Sequence, residues 1–598
     1  MRRACIYPRS IFSCIRQDNQ SIMTRLTPRR LHQTMSTGSA IPPRPIAIAN
    51  MPEQRIPVTE DRDSQRAEPE QKKSINLLRG WPATSLLPAA ALRAASQTAL
   101  SDPRIWGPGL EYGPDPGYQP LREELARWLG RFYNETIANT TNGAAVAEAV
   151  RVDANRITVT GGASQSVACL LQSFTDPSAT LAVWMLAPCY FLACQNFADA
   201  GFAGRMRAVP EDEEGVDLGF LERAIRALEE SQSQGRGRGV EGPYKEPGVH
   251  RKIYRHVVYC VPSFANPSGR TMTLARRRGL VQLAREHDAL VICDDVYDML
   301  QWQVQCPAPA PTLSSPSSSS SLRNSALSSS SSPSSIPDLN RALLPRLADI
   351  DIAQGRSPHD PPGKHFGHVV SNGSFSKLVA PGARTGWTYS TADFALGMAH
   401  TGSTRSGGAP SQLTATIVCE LLKQPSSTSR TQQETECVLD AYIRHTLRPA
   451  YARRHGLLMR AIRDVLVPLG IQVEAGSLCG HEGVFGGYFV WMILPFQTRG
   501  TDGSTEPSGT WPTARAIADR CRADEDLLIG HGELFAVHGD EAAVRFDDAI
   551  RLCFAWENEE DIVDGVERLG RVIRKMLKEE PKNWETEDRG QCSVDQNK

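Results

Sequence analysis

The chain has 598 residues, 40% hydrophobic and 22% charged, which is enough for a large core and more than one domain. A net charge of -1 and a sequence pI of about 6.9 give no electrostatic ground for nucleic acid or an anionic membrane as main partner. The 14 cysteines are scattered, with no CxxC pair and no Cys/His ligand spacing, so they read as reduced core thiols of an intracellular protein without a metal site. The longest apolar run, Leu181 to Cys194, is too short for a bilayer and is broken by Pro188.

Residues 1–73 carry no hydrophobic period. The first 40 are rich in Arg and Ser with Asp18 as the one acid, which fits a mitochondrial presequence or an unfolded leader. The chain is therefore expected in the cytoplasm or the mitochondrion. Order is predicted from Ser74, with a short strand over Ile75–Pro82 and a helix over Leu86–Leu100. A Gly/Pro loop holding Tyr112 follows. Next comes an amphipathic helix from Leu121 to Phe132, with Leu121, Leu125, Trp128 and Leu129 on one face.

Strands and helices then alternate. Ile157–Thr160, Leu181–Leu186, His256–Val261 and Ala289–Cys293 read as strands, and Val167–Phe174 and Leu274–His287 as helical stretches. This alternation predicts a mainly parallel sheet with helices on both faces, a large α/β domain over 106–405. Residues 231–250 read as an aperiodic insertion. The Pro/Ser-rich run from 304 is expected to stay disordered to about 363, because it buries too little apolar surface to offset its ordering entropy. Beyond Gly407-Gly408 the helices lengthen. Strands at Gly487–Met492 and Ala549–Phe554 and a helix at Asn558–Leu577 predict a smaller α+β domain over 406–580, completed by residues 74–105. Residues 581–598 form a polar tail.

The chemistry concentrates between Ser371 and Trp387, SNGSFSKLVAPGARTGW. A desolvated lysine loses its proton readily and condenses with a carbonyl, and an arginine fork suits phosphate. Lys377 with Arg384 thus suits an aldehyde that also bears a phosphate, such as pyridoxal phosphate (PLP). An ordinary solvated lysine in a Ser/Gly loop fits the stretch equally well.

The strand ends supply more. Ligands of open parallel sheets bind beyond the carboxyl ends of strands. Gly162-Ala163-Ser164-Gln165 joins a strand to a helix N-terminus, either an anion seat or a plain N-cap. Tyr190 is a ring cover or a core residue. Asn266 is a donor to a ring oxygen or simple Asn-Pro turn chemistry. Asp294 ends an apolar strand, a costly place for a carboxylate unless it meets a cation such as a pyridinium nitrogen. Tyr297 could reach the ring oxygen, and Asp295 is read as an exposed neighbour. Asn-X-Ser/Thr triplets at Asn134, Asn139 and Asn372 are taken as chance. Together these residues give every polar point of PLP a partner, with Ser164, Ser374 and Arg384 for the phosphate.

The stretches LEYGPDPGYQPLREELARWL, VTGGASQS, PCYF, VPSFANPSG, ICDDVYDML, SFSKLVAPGARTGW and IRLCF resemble the class I/II aminotransferases, PLP enzymes of fold type I. They are most similar to the branch with 2-aminoadipate and kynurenine aminotransferases and MocR-type regulator domains. The resemblance implies amino transfer between an L-amino acid and a 2-oxo acid. It implies PLP on Lys377, Arg551 on the substrate carboxylate, and Gly80 near the substrate. It also implies a homodimer in which Tyr112 reaches the partner's cofactor phosphate. A PLP lyase or decarboxylase shares these motifs. A MocR-like regulator needs a winged helix, for which residues 1–73 are too short and too aperiodic. Substrate selectivity is expected from loops near Gly80–Leu87, Tyr488 and Phe535.

Overall fold

A computed structural model describes residues 72–140, 151–234, 244–304, 338–405, 410–423, 436–474, 483–495 and 511–579. All of them belong to one unit, Gln71–Lys598. The leader, the polar tail, the Gly407-Gly408 turn and the Ser/Pro run through residue 337 lie outside the described residues.

An eight-stranded sheet organises the molecule. Its strands lie in the order Ile157–Thr160, Gly386–Tyr389, Val369–Ser374, Ala289–Asp294, His256–Cys260, Ala182–Ala187, Met206–Asp212 and Gly215–Val216. The five from Val369–Ser374 to Met206–Asp212 run parallel, while Gly386–Tyr389 is antiparallel to both its neighbours. Seven of the eight are buried along their whole length, Met206–Asp212 being the exception. A parallel sheet reads as apolar runs because helices cover both its faces.

The helices follow their sequence faces. Gln119–Thr140 buries Leu121, Leu125, Trp128, Leu129 and Phe132. Ala163–Phe174 buries Val167, Leu170, Leu171 and Phe174. The carboxyl end of this second helix is closed by Lys245, whose Nζ donates to the carbonyls of Gln172 at 3.1 Å and Thr175 at 2.6 Å. A cation there complements the dipole and leaves the amino end for an anion. Residues 231–250 are thus not a plain insertion. The helix Leu218–Ser233 enters them, and Lys245 returns to the fold.

A second sheet of four antiparallel strands takes the order Gln472–Glu474, Phe489–Ile493, Ala549–Cys553 and Gly530–His531. The strand predicted over Ile75–Pro82 is only Ile75–Asn76, paired parallel with Leu527–Leu528. It stops because the Asn76 side chain accepts from the backbone N–H of Leu78 and Arg79 at 3.1 and 2.9 Å, a local turn that competes with the ladder.

The disordered stretch expected over 304–363 is too long at its far end. Residues 338–363 pack on the sheet, and Leu347–Ala353 is helical with Leu347, Ala348, Asp349, Asp351 and Ile352 buried. Arg346 bonds Asp349 at 2.9 and 2.8 Å and lies 4.0 Å from the ring centres of both Tyr133 and Tyr389. Asp351 accepts from the backbone N–H of His368 at 2.6 Å and Val369 at 3.2 Å, where the strand that delivers Lys377 begins. Removing residues 338–360 would strip these bonds, so this part of the stretch expected to be disordered belongs to the fold. The apolar residues from Leu343 to Ile352 were masked by the Ser/Pro composition before them.

Candidate active site

Lys377 lies in the turn after Val369–Ser374, on the carboxyl side of the sheet. It is half-buried, and its Nζ donates to the Gly80 carbonyl at 2.7 Å. Burial lowers its pKa to about 8, against the opposing pull of Cys553 and Asp294. Near neutral pH a useful fraction is thus free amine. Gly80 is fixed as glycine by close approach, since a Cβ there would lie 2.7 Å from the Phe489 ring.

Asp294 ends the neighbouring strand and is 8% exposed. Desolvation raises its pKa to about 6, although the Tyr259 hydroxyl donates to it at 2.9 Å. Asn372 stands opposite Asp294 in the sheet register. Its Nδ2 donates to Asp294 at 3.4 Å and to the Ala163 carbonyl at 3.1 Å. Sequence reading missed both Tyr259 and Asn372. The sequence showed only an Asn-X-Ser triplet at Asn372 and one more β-forming residue at Tyr259.

Arg551 comes from the middle of a strand in the other sheet and is 3% exposed. It donates to Asn266 Oδ1 at 2.8 Å and to the Leu78 carbonyl. Its guanidinium lies 4.3 and 4.6 Å from the ring centres of Phe489 and Phe535. Its Nε is buried without a hydrogen-bond partner, and burial lowers its pKa to about 10. An uncompensated buried cation is costly, so this group calls for an anion.

Tyr190 precedes the helix Phe191–Phe197, and burial raises its pKa to about 12, with Asp294 pushing the same way and Arg551 opposing. Tyr297 is buried, 5.4 Å from Tyr488 and 6.2 Å from Phe489 between ring centres. Of the residues near which selectivity loops were expected, Phe535 is buried with its ring centre 4.6 Å from the Arg551 guanidinium, and Tyr488 is 0% exposed with its ring centre 5.2 Å from Lys377 Nζ.

The other end of the site is open. Gly162 caps the helix Ala163–Phe174 with φ of 99°, and a Cβ there would lie 2.6 Å from Arg384 Nη2. Ser164 is exposed, and Gln165 accepts from the Gly161 N–H at 2.9 Å. Arg384 is exposed and donates to the carbonyls of Gly161 at 2.9 Å and Pro381 at 2.8 Å and to Ser376 at 3.3 Å. The Ser374 hydroxyl donates to Ser376 at 2.9 Å. Ser376 was not among the expected phosphate ligands.

Asp295 is not an exposed neighbour. It is half-buried and accepts from Ser371. Burial and nearby Asp298 hold its pKa well above the carboxylate range. It lines a small pocket with Tyr133, Asp298 and Arg346. Tyr112 is 90% exposed and touches none of these groups within its own chain.

These residues fit a ring with an aldehyde, a basic nitrogen and a phosphate. The amine, the carboxylate and the glycine-cleared cradle beside Arg384 lie around one sheet edge, and the orphaned Arg551 Nε offers a separate anion seat. The fold and the site define a lysine-centred enzyme of the aspartate aminotransferase-like fold type I.

The family described as aminotransferase class I and II matches residues 73–329. An uncharacterized protein of Saccharomyces cerevisiae is 31% identical over 513 residues, 84% of this chain and 97% of the relative. The 2-aminoadipate transaminase of Thermus thermophilus is 25% identical over 499 residues, 83% of this chain and 89% of the relative. The solved kynurenine aminotransferase of Pyrococcus horikoshii shares the fold with a TM-score of 0.57 at 22% identity, over 85% of this chain and 93% of its own. The chain belongs to the class I and II aminotransferases and is an enzyme of amino transfer. The family's chemistry implies pyridoxal phosphate. Among the described residues no helix is long and apolar enough to cross a membrane.

Proposed function

We propose that this chain moves an amino group between an L-amino acid and a 2-oxo acid, with Lys377 Nζ as the proton carrier. The observation that carries the reading is the half-buried Lys377 amine, held 2.7 Å from the Gly80 carbonyl and within the fields of Asp294 and Arg551. When bound, PLP supplies an electron sink that lets a Cα–H bond break. Lys377, once free, takes the proton from the substrate Cα and gives it up again, base then acid. Asp294 would meet the ring nitrogen and keep a proton there. Asn266 and Tyr297 would serve the ring oxygen, and Tyr190 would cover a ring face. Ser164, Gln165, Ser374, Ser376 and Arg384 would hold the phosphate. Arg551 clamps the substrate carboxylate, with Gly80 beside it.

The boundaries at 105/106 and 405/406 belong to this reading as a large and a small domain. The pairing of Ile75–Asn76 with Leu527–Leu528 supports the return of the N-terminal segment. The reading also includes a homodimer, supported by a Tyr112 that is 90% exposed in its own chain. Mixing Tyr112→Phe chains with Lys377→Ala chains should create one intact site per heterodimer and restore activity. Failure to do so would place Tyr112 in its own subunit's site.

The relatives' names make 2-aminoadipate and kynurenine the first donors to test, against a panel of 2-oxo acids. Keto-acid formation that requires an oxo-acid acceptor in one-to-one amount is the expected result. Acceptor-independent loss of carboxylate or side chain would replace transfer with a lyase or decarboxylase reaction.

A further inference from the structure

Tyr488 is a fully buried tyrosine that the proposed mechanism does not use. It lies in the segment leading into the strand Phe489–Ile493, and its backbone carbonyl accepts from the Phe554 N–H at 3.1 Å. Its ring centre is 5.2 Å from Lys377 Nζ. Its hydroxyl donates to the Lys377 carbonyl at 3.5 Å and shares a 2.9 Å hydrogen bond with the Tyr451 hydroxyl. Tyr451 is itself buried on the long helix Arg448–Val465. Tyr297 packs against the Tyr488 ring at 5.4 Å between centres.

The arrangement holds one lysine at both ends. The hydroxyl reaches the backbone of residue 377, the ring lies beside its amine, and the Tyr451 hydroxyl fixes the ring's rotation. Burial disfavours the ammonium form, while the negative face of an aromatic ring favours it. We propose that Tyr488, locked by Tyr451, is the positioning residue for Lys377, a wall that fixes where the amine rests and supports its protonated form. This rests on the reading of Lys377 as the reacting amine. The charged and titratable groups that also face the amine are Asp294, Arg551 and Cys553. Cys553 and Asp294 support the ammonium and Arg551 opposes it.

The test reads the amine directly. The full-length chain, stripped of cofactor, is labelled with trace acetic anhydride across a pH series, and the extent at Lys377 is measured by peptide mass spectrometry. The wild-type midpoint should fall at about 8. Tyr488→Phe keeps the ring but loses both hydroxyl contacts, so its midpoint should fall by less than that of the ring-free variants. Tyr488→Met fills a similar volume without a ring, and Tyr488→Leu removes it outright. Both should lower the midpoint by about half a unit to one and a half units, the size of a cation–ring contact. Circular dichroism confirms the fold of each variant, and the methionine variant carries the test if the leucine variant does not fold. An unchanged or raised midpoint in folded Tyr488→Met, or a Phe variant that shifts as far as Met, would overturn the proposal. Borohydride trapping of added PLP separates the two levels. If PLP does not attach at Lys377, the functional reading fails, while the labelling midpoints still decide the role of Tyr488.

Discussion

The two ends of the site are built by opposite rules. At the amine end, Lys377, Asp294 and Arg551 are taken out of water, and each is displaced from its ordinary pKa by burial first. At the anion end, Ser164 and Arg384 remain exposed, and Arg384 meets backbone carbonyls and a hydroxyl rather than a buried charge. A group that only complements a fixed charge can stay solvated. A group that must change protonation or stabilise developing charge gains from a low-dielectric setting. The contrast predicts how damage at each end should read out.

The largest effect belongs to Lys377. Lys377→Ala should still hold PLP through the anion end but lose turnover by about ten-thousandfold or more, since one covalent and acid/base group is removed. Single-turnover kinetics on PLP-loaded protein check this. Retained transamination would remove the amine end from the chemistry altogether.

Arg551 comes next. Arg551→Ala should leave the absorbance of the bound cofactor unchanged while weakening amino-acid binding by about thirtyfold to several thousandfold. That is the roughly 2–5 kcal/mol cost of losing a buried charge-assisted contact. A simple amine without a carboxylate should respond far less. Equal loss for both ligands would mean that Arg551 supports the fold of the site rather than the carboxylate.

The legible parts of this site are those in which a residue type is costly where it stands. Asp294 at the end of an apolar strand announces itself locally, whereas Lys377 among serines needed the residues at the other strand ends beside it. Asn372 did not, because its use depends on the pairing of two strands 78 residues apart. An Asn-X-Ser triplet was all the sequence displayed there. Tyr259 hides in the same way, as one more β-forming residue in an apolar strand. The alternation of strands and helices was readable because each strand is short, buried and bounded by turn residues. The segment 338–363 was not, since its anchors Arg346 and Asp351 act through partners distant in sequence. Asp295 was misjudged for a related reason. Its burial depends on the packing of Asp298, Tyr133 and Arg346 behind the sheet.

Asp294 sharpens the contrast through pH. Its folded pKa of about 6 lies above the ordinary 3.8, so the ionised form is the disfavoured one in the ligand-free fold. The stability it contributes is full below about pH 4 and is lost as pH rises to about 6. Asp294→Asn removes that titration. The difference in unfolding free energy between variant and wild type should therefore move in the variant's favour by up to about 3 kcal/mol across this window, and stay level above it. Urea titrations at matched pH measure it. A flat difference from pH 4 to 6 would show that the carboxylate is not desolvated.

The smallest effect lies at the open end, and its salt dependence identifies it. Arg384 is exposed, so its attraction for a phosphate is screened by water and by ions. Arg384→Ala should weaken PLP binding by about fivefold to tenfold at low ionic strength, the discounted value of a charge-assisted hydrogen bond at a surface. The deficit should shrink as salt rises toward about 0.5 M, where the Debye length falls well under the roughly 10 Å it reaches at 0.1 M. The Arg551→Ala deficit in amino-acid binding should barely change over the same range, because buried contacts are poorly screened. Equilibrium titration of both variants in the same salt series gives the comparison in one experiment. If the two deficits fall together, the ends of the site are equally solvated and the contrast drawn from burial is wrong. If the Arg384→Ala deficit is large and independent of salt, the phosphate end closes over the cofactor and excludes water when it is filled.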